Sequence, residues 1–220
     1  MRNINISPGE HYHIYNRGND KQKIFLDERD WIRFLFCILH FQSPLTFTNL
    51  SRPVTNFVKH RVFNIEPRVV KDIQRQRIVR LNCFCLMPNH FHLLVYQKTE
   101  AGIAQYLQRV LNSYTKYFNT KYKRDGHLFQ GPYRAVHIND NDQLLYTSAY
   151  IHRNPNELKP WRDHENNYPW SSYRDYIGTN QWGMLLDQKI IKEQFTDGQD
   201  YDRWVKSSGA KDPEHIDSLV

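Results

Sequence analysis

The sequence predicts an α+β domain of ferredoxin-like type, with a central, mostly antiparallel sheet and helices on one side. Three observations carry this prediction: strand-like alternation in four segments, helical periodicity in three others, and turn residues between the two central strands. The predicted order along the chain is strand, helix, uncertain stretch, strand, strand, helix, strand, helix. The strand-like segments are residues 11–17, 77–87, 91–97 and 133–138.

The first strand and the first helix have clear signals. Residues 11–17 (HYHIYNR) are rich in aromatic side chains, and the turn residues of 18–20 (GND) follow them. Segment 27–42 opens with acidic residues, which favour a helix N-terminus, and continues with apolar residues at helical spacing. These apolar residues are Trp31, Phe34, Leu35, Ile38 and Leu39.

The pattern weakens over residues 43–76, where three prolines interrupt it. We expect an uncertain insertion here, with at most short elements. Segments 77–87 and 91–97 then form a predicted hairpin, because the Pro88-Asn89 pair between them is typical of a turn.

Two helices complete the prediction. Apolar residues recur every three or four positions over 103–118, which predicts the longest helix. After the strand at 133–138, Asp140 and Gln143 have the spacing of a capping box. The helix that they begin should stop near Asn154, because the proline that follows disfavours helical geometry.

The length of 220 residues favours one domain over residues 1–180 with a C-terminal extension over 181–220. Trp182 and Trp204 can dock this extension, but its end is polar, so we expect it to be partly flexible.

The composition favours a nucleic-acid partner without proving one. The chain has 30 Lys and Arg against 23 Asp and Glu, together with 14 Tyr, 12 Phe and 5 Trp. A basic surface with flat side chains suits a polyanion with stackable bases, although many basic proteins never bind nucleic acid. The three cysteines form no zinc-binding pattern, and residues 1–10 do not look like a signal peptide. We therefore expect a cytoplasmic protein, nucleoid-associated in a prokaryote.

His90 and His92 are candidate metal ligands, because residues two apart on a strand project to the same face and two imidazoles can share one ion. The pattern by itself is not specific. His11 and His13 have the same spacing, and a pair of surface or sheet-packing histidines is the alternative interpretation.

A longer string separates the two pairs. Residues 86–95 (LMPNHFHLLV) resemble the His-hydrophobic-His motif of the HUH endonucleases in its transposase form. Downstream, residues 150–156 (YIHRNPN) resemble the tyrosine helix of the same family, and 169–173 (PWSSY) resemble its Trp-Ser-Ser ending. Similar strings occur at 126–131 (GHLFQG) and 16–18 (NRG). Over about residues 11–176 the chain resembles the REP-associated tyrosine transposases, which are single-tyrosine HUH transposases.

The resemblance implies that Tyr150 is the nucleophile and that His90, His92 and Asn154 bind Mg²⁺ or Mn²⁺. It also implies a metal-dependent endonuclease and strand transferase that forms a 5′-phosphotyrosine on single-stranded DNA at repeated extragenic palindromic hairpins. The expected partners are single-stranded or hairpin DNA, and the expected state is a monomer or a homodimer. The spacing agrees, since residues 150 and 154 lie one helical turn apart.

Other tyrosines and functions remain open at this stage. Tyr146 shares a helix face with Tyr150, whereas Tyr114 falls on an apolar stripe where core packing is the better interpretation. His152 is either an acid-base assistant or a solvated residue at the helix end. The alternative functions are a domesticated, non-catalytic nucleic-acid-binding protein and a metal hydrolase that uses water.

Four residues are candidate DNA contacts, and a solvated surface charge is the alternative for each of them. These residues are Arg17, Arg134, His137 and Arg153.

Overall fold

A computed structural model describes residues 6–46 and 49–210 of the chain. A four-stranded antiparallel sheet lies at its centre, in the order β2-β3-β1-β4. The predicted α+β class is confirmed, and the predicted strands appear with small shifts at their ends. The strands are β1 (His11–Arg17), β2 (Val79–Met87), β3 (His90–Gln97) and β4 (Arg134–Ile138).

Helices follow the strands in the predicted order, with further elements in the insertion and in the C-terminal extension. They are α1 (Glu28–His40), α2 (Ser51–His60), α3 (Pro67–Arg75), α4 (Gly102–Tyr122), α5 (Asn141–His152), α6 (Tyr173–Ile177), α7 (Lys189–Lys192) and α8 (Gly198–Ser207).

Side chains cap the N-termini of α1 and α5, which are among the helices that an aspartate begins. The Asp27 carboxylate accepts from the backbone N–H of Asp30 at 3.1 Å, and the Asp30 carboxylate accepts in return from the Asp27 N–H. Asp140 accepts from the Gln143 N–H at 2.8 Å, while the Gln143 side chain accepts from Asn139. Each cap satisfies backbone donors that the first helical turn leaves unpaired.

Two cores cover the two faces of the sheet. The first contains Ile14, Phe91 and Leu93 and packs under α1 and α4. The second contains Cys85 and Leu94 and packs under α5 and the C-terminal helices. Helices α1 and α4 therefore lie together on one side of the sheet, as predicted. α5 covers part of the opposite face, because both faces of β2 and β3 carry apolar side chains.

The insertion at 43–76 is more ordered than the sequence predicted. It contains α2 and α3, whose Phe57 and Ile73 are buried in the core. Pro53 lies in the first turn of α2 and Pro67 is the first residue of α3, positions where a helix needs no backbone N–H. Two of the three prolines that look like breakers therefore mark the beginnings of helices.

The described part of the C-terminal extension packs on both cores. Trp182 is buried in the first core, as predicted, and Tyr201 and Val205 are buried in the second, whereas Met184 is exposed. The predicted loose end falls largely on residues 211–220, which lie outside the described residues. Among the described helices, none combines the length and the apolar character that crossing a bilayer requires.

Candidate active site

His90 and His92 lie at the start of β3, on the sheet face that α5 crosses. Their ring centroids are 5.0 Å apart and the rings are perpendicular. Phe91 between them points into the opposite core and is fully buried. The alternation of the strand thus places both imidazoles on one face, as predicted.

The turn before His90 is held by the segment that follows β1. The Gly18 N–H donates to the Asn89 carbonyl at 2.8 Å, and the Ile24 N–H donates to the Pro88 carbonyl at 2.9 Å. A Cβ atom added at Gly18 would lie 2.2 Å from the Gln22 carbonyl oxygen, so only glycine fits there. The strings at 16–18 and 86–95 therefore meet in one structure.

The side chain of Asn89 fixes the orientation of the His90 ring. Nδ1 of His90 lies 2.7 Å from Oδ1 of Asn89. An amide oxygen only accepts hydrogen bonds, so the histidine Nδ1 carries the proton and its lone pair is on Nε2. Hydrogen bonds of this kind orient histidines that bind metal ions.

His13 is a site residue that the sequence did not single out. Its Nε2 lies 2.8 Å from Nδ1 of His92, and its side chain is 2% exposed. This contact contains one proton. For Nε2 of His92 to keep a free lone pair, Nδ1 of His92 must carry that proton and donate it, and His13 must accept. The signal available in the sequence was the HYH string, which had looked like a chance repeat of the motif.

Tyr150 lies against this histidine pair. Its ring centroid is 5.7 Å from those of both His92 and His13, and its side chain is partly exposed. Tyr146 is also partly exposed on α5. Tyr114, in contrast, is fully buried in the first core, where its hydroxyl donates to the Ile24 carbonyl and burial raises its pKa well above the ordinary value.

Asn154 closes the C-terminal end of α5 and does not continue it. The helix ends at His152, and Asn154 begins a short 3₁₀ turn. Its Nδ2 donates to the carbonyls of Tyr150 and Ile151 at 2.8 and 3.3 Å. These two acceptors fix which amide atom is the oxygen.

The Asn154 amide oxygen fits a metal-binding role. It is buried, and it has no hydrogen-bond partner within the described residues. A buried acceptor without a partner costs free energy unless an ion or water satisfies it. Among the described residues, no group of three or more His, Cys, Asp or Glu side chains is arranged to hold a metal ion, so an ion held by the two histidines would need a ligand of another type, such as this amide.

His152 connects α5 to the C-terminal segments. It was expected to be solvated or to assist in catalysis, but it is fully buried, and burial lowers its pKa to about 3. Its ring nitrogens lie 2.7 Å from the Tyr201 hydroxyl and 2.8 Å from the Ser172 hydroxyl. The imidazole stays neutral and orients the end of the tyrosine helix.

The Trp-Ser-Ser string completes this connection along the edge of β2. The Leu86 N–H donates to the Trp170 carbonyl at 2.8 Å, and the Phe84 N–H donates to the Ser172 hydroxyl at 2.9 Å. Because Ser172 contacts both β2 and His152, it sets the position of α5 relative to the sheet.

The four candidate DNA contacts differ in position. Arg17 and Arg134 are exposed and lie on the same face of the sheet as His90. In the strand register Arg17 pairs with His90, and Arg134 pairs with Tyr15. His137 lies on the opposite face, beside the buried Tyr12.

Two of these candidates have partners within the chain. His137 contacts Glu10 at 3.1 Å. The side chain of Arg153 is 15% exposed, lies 3.7 Å from Glu165 and donates to the Ala210 carbonyl at 2.7 Å. The structure therefore gives Arg153 a role in holding the C-terminal segment.

The chain resembles known proteins in part of its sequence and in its fold. Residues 54–154 match the family model of IS200-like transposases, a range that includes both histidines, Tyr150 and Asn154. The structure is similar to that of a REP-associated tyrosine transposase bound to a REP hairpin, with a TM-score of 0.55 and 10% sequence identity, over 86% of this chain and 92% of that chain. No curated protein matches the sequence. Residues 54–154 are therefore similar to the IS200-like transposases, and the chain is similar in fold to a REP-associated tyrosine transposase.

Proposed function

We propose that the protein is a metal-dependent endonuclease and strand transferase for single-stranded DNA that carries a hairpin. The observation that carries this proposal is the contact of the Tyr150 ring with His92 and His13, at 5.7 Å between centroids. This contact brings a phenol to a pair of oriented imidazoles. A tyrosine that only packed in the core would need no such neighbours.

In the proposed reaction the Tyr150 hydroxyl oxygen attacks the scissile phosphorus. A bond forms between that oxygen and phosphorus, the bond from phosphorus to the 3′ oxygen breaks, and the phenolic proton is lost while the leaving 3′ oxygen gains one. The products are a 5′-phosphotyrosine and a free 3′-hydroxyl. Because the ester energy is retained, a returning 3′-hydroxyl can reverse the step and join strands.

The divalent ion would be held by Nε2 of His90, Nε2 of His92 and Oδ1 of Asn154. The orphaned amide oxygen and the two Nδ1 hydrogen bonds support this set of ligands. Oxygen and imidazole donors suit Mg²⁺ or Mn²⁺. A bound ion would polarise the phosphate and offset the charge that develops on the leaving oxygen.

The proposed substrate follows from the surroundings of the site. Arg17 and Arg134 on the same face supply positive charge for a phosphate backbone. The similar structure is bound to a REP hairpin, which supports a hairpin with a single-stranded flank as the DNA form. Tyr150 lies against His92 of its own chain, at 5.7 Å between ring centroids, which supports a site that one monomer can complete.

The test is covalent capture of labelled single-stranded DNA. Wild-type protein with Mg²⁺ or Mn²⁺ should give an adduct that survives boiling on a denaturing gel, and a chelator should abolish it. Tyr150→Phe should lose the adduct while hairpin binding persists, since only the nucleophilic oxygen is removed.

Tyr146→Phe is the matched control on the same helix, and its adduct should remain. An adduct that is lost in Tyr146→Phe and retained in Tyr150→Phe would refute the assignment of the nucleophile. The absence of any adduct from the wild type, with hairpin binding intact, would favour a binding protein without catalysis.

A further inference from the structure

A basic cleft of about 660 Å³ lies at the end of the β2-β3 hairpin that is remote from His90. Gln74, Met184 and Leu186 form part of its wall. Five cationic side chains line it, against two carboxylates, Asp187 and Glu193. The cations are Arg77, Arg80, Lys98, Lys189 and Lys192.

Arg77 is the unusual member of this cleft. It is 7% exposed, and its Nε has no hydrogen-bond partner within the described residues, while one terminal nitrogen donates to the Met184 carbonyl. Burial lowers its pKa, and the nearby charge of Arg80 lowers it further, against the opposing effect of Asp187. A buried guanidinium with an unsatisfied donor is costly unless an anion joins it.

The carboxylate nearest to this charge is already engaged. Asp187 lies 3.6 Å from Arg80, whose guanidinium also stacks over the Tyr96 ring at 5.4 Å from its centroid. Tyr96 and Asp187 therefore position the half-exposed Arg80 side chain, which is close enough to Arg77 for the two charges to interact. The cleft thus holds two guanidinium groups, and guanidinium groups bind phosphate oxygens through paired N–H donors.

The surrounding lysines extend the positive charge beyond the reach of one phosphate. Lys98 and Lys189 are both exposed on the rim, and the Lys189 side chain is 76% exposed.

Arg80 and Met87 are seven residues apart on β2, which at about 3.3 Å per residue is roughly 23 Å. A duplex rises about 3.4 Å per base pair, so a stem of roughly seven base pairs spans that distance.

We propose that this cleft binds backbone phosphates of the duplex stem of the DNA whose flank enters the catalytic site. This inference rests on the proposed function and names a second contact for the same substrate. The shared chemistry is a phosphate group, which free inorganic phosphate would also supply. The exposed lysines favour the polymer, because a single phosphate cannot contact the two arginines and the lysines of the rim together.

The test compares the affinity of matched double variants for a DNA hairpin. Fluorescence anisotropy of the labelled DNA hairpin is measured over a range of salt concentrations. Lys98→Ala with Lys189→Ala should weaken binding by about tenfold and reduce the salt dependence by about one to two phosphate contacts. Lys59→Ala with Lys116→Ala removes the same charge from exposed positions that do not line the cleft. This control should change affinity less than twofold.

Arg77→Met tests the buried charge. Thermal melting must show that the variant is folded, and a folded variant should also lose hairpin affinity. If it does not fold, the rim variants carry the test alone. Covalent capture of a short single strand without a stem should be unchanged in the rim variants, so a failure of this proposal is distinct from a failure of the catalytic one.

Two outcomes would overturn the assignment. Equal losses in the rim and control variants would mean that affinity follows net charge and not this cleft. Stabilisation of the wild type by inorganic phosphate, lost in Arg77→Met and accompanied by unchanged hairpin affinity in every variant, would identify a free-phosphate site instead.

Discussion

Removing the imidazole of His13 should weaken metal binding, although this residue is not itself a proposed ligand. Its Nε2 is 2.8 Å from Nδ1 of His92 in a site where His13 is 2% exposed. In His13→Ala the His92 ring loses the partner that fixes its proton and its orientation. Loss of such an outer hydrogen bond costs about 10- to 100-fold in metal affinity, or about 1.4 to 2.8 kcal/mol.

The assay is direct titration of the protein with Mn²⁺, followed by electron paramagnetic resonance of the free ion, so that the readout does not depend on cleavage. His13→Gln offers an amide oxygen that can accept from His92, and it should recover part of the affinity. A purely structural role would give no such recovery.

His11→Ala is the matched control. His11 lies on the same face of the same strand, but its ring contacts Tyr96 and lies away from His92. Its substitution should leave Mn²⁺ affinity unchanged. Wild-type affinity in a folded His13→Ala variant would refute the reasoning, since it would mean that the hydrogen bond does not orient the ligand.

Three further changes have defined outcomes. Gly18→Ala places a Cβ 2.2 Å from the Gln22 carbonyl, so thermal melting should show a loss of about 1 to 3 kcal/mol, and a melting temperature equal to wild type would contradict the close approach. Asn154→Ala should lower Mn²⁺ affinity without abolishing it, because two ligands remain. Unchanged affinity would exclude the amide as a ligand. Burial raises the pKa of Asp175 to about 6, so the folded protein holds this proton more tightly than the unfolded chain does. This group therefore stabilises the fold most at low pH, and its contribution of about 3 kcal/mol is lost as pH rises from about 4 to 6. The stability of Asp175→Asn relative to wild type should therefore rise across that pH range in thermal melts, and parallel pH profiles would refute the assignment.

Much of the fold follows from local patterns that the sequence displays. The strand period of two places His90 and His92 on one face, and the caps at Asp27 and Asp140 begin their helices where predicted. The helices of the insertion are harder to predict from the sequence, because Pro53 and Pro67 signal both the interruption of one element and the beginning of another.

The sequence by itself determined the order of the elements, the face that holds the two histidines, and the motifs that resemble those of a transposase family. Only the tertiary structure decided which distant residues join them. His13 reaches His92 across 79 positions because β1 pairs with β3 in one register, and Ser172 reaches His152 because the C-terminal segment lies along β2. Local periodicity fixes the direction of a side chain on its own element, but the contact between two elements depends on register and packing, which no short segment encodes.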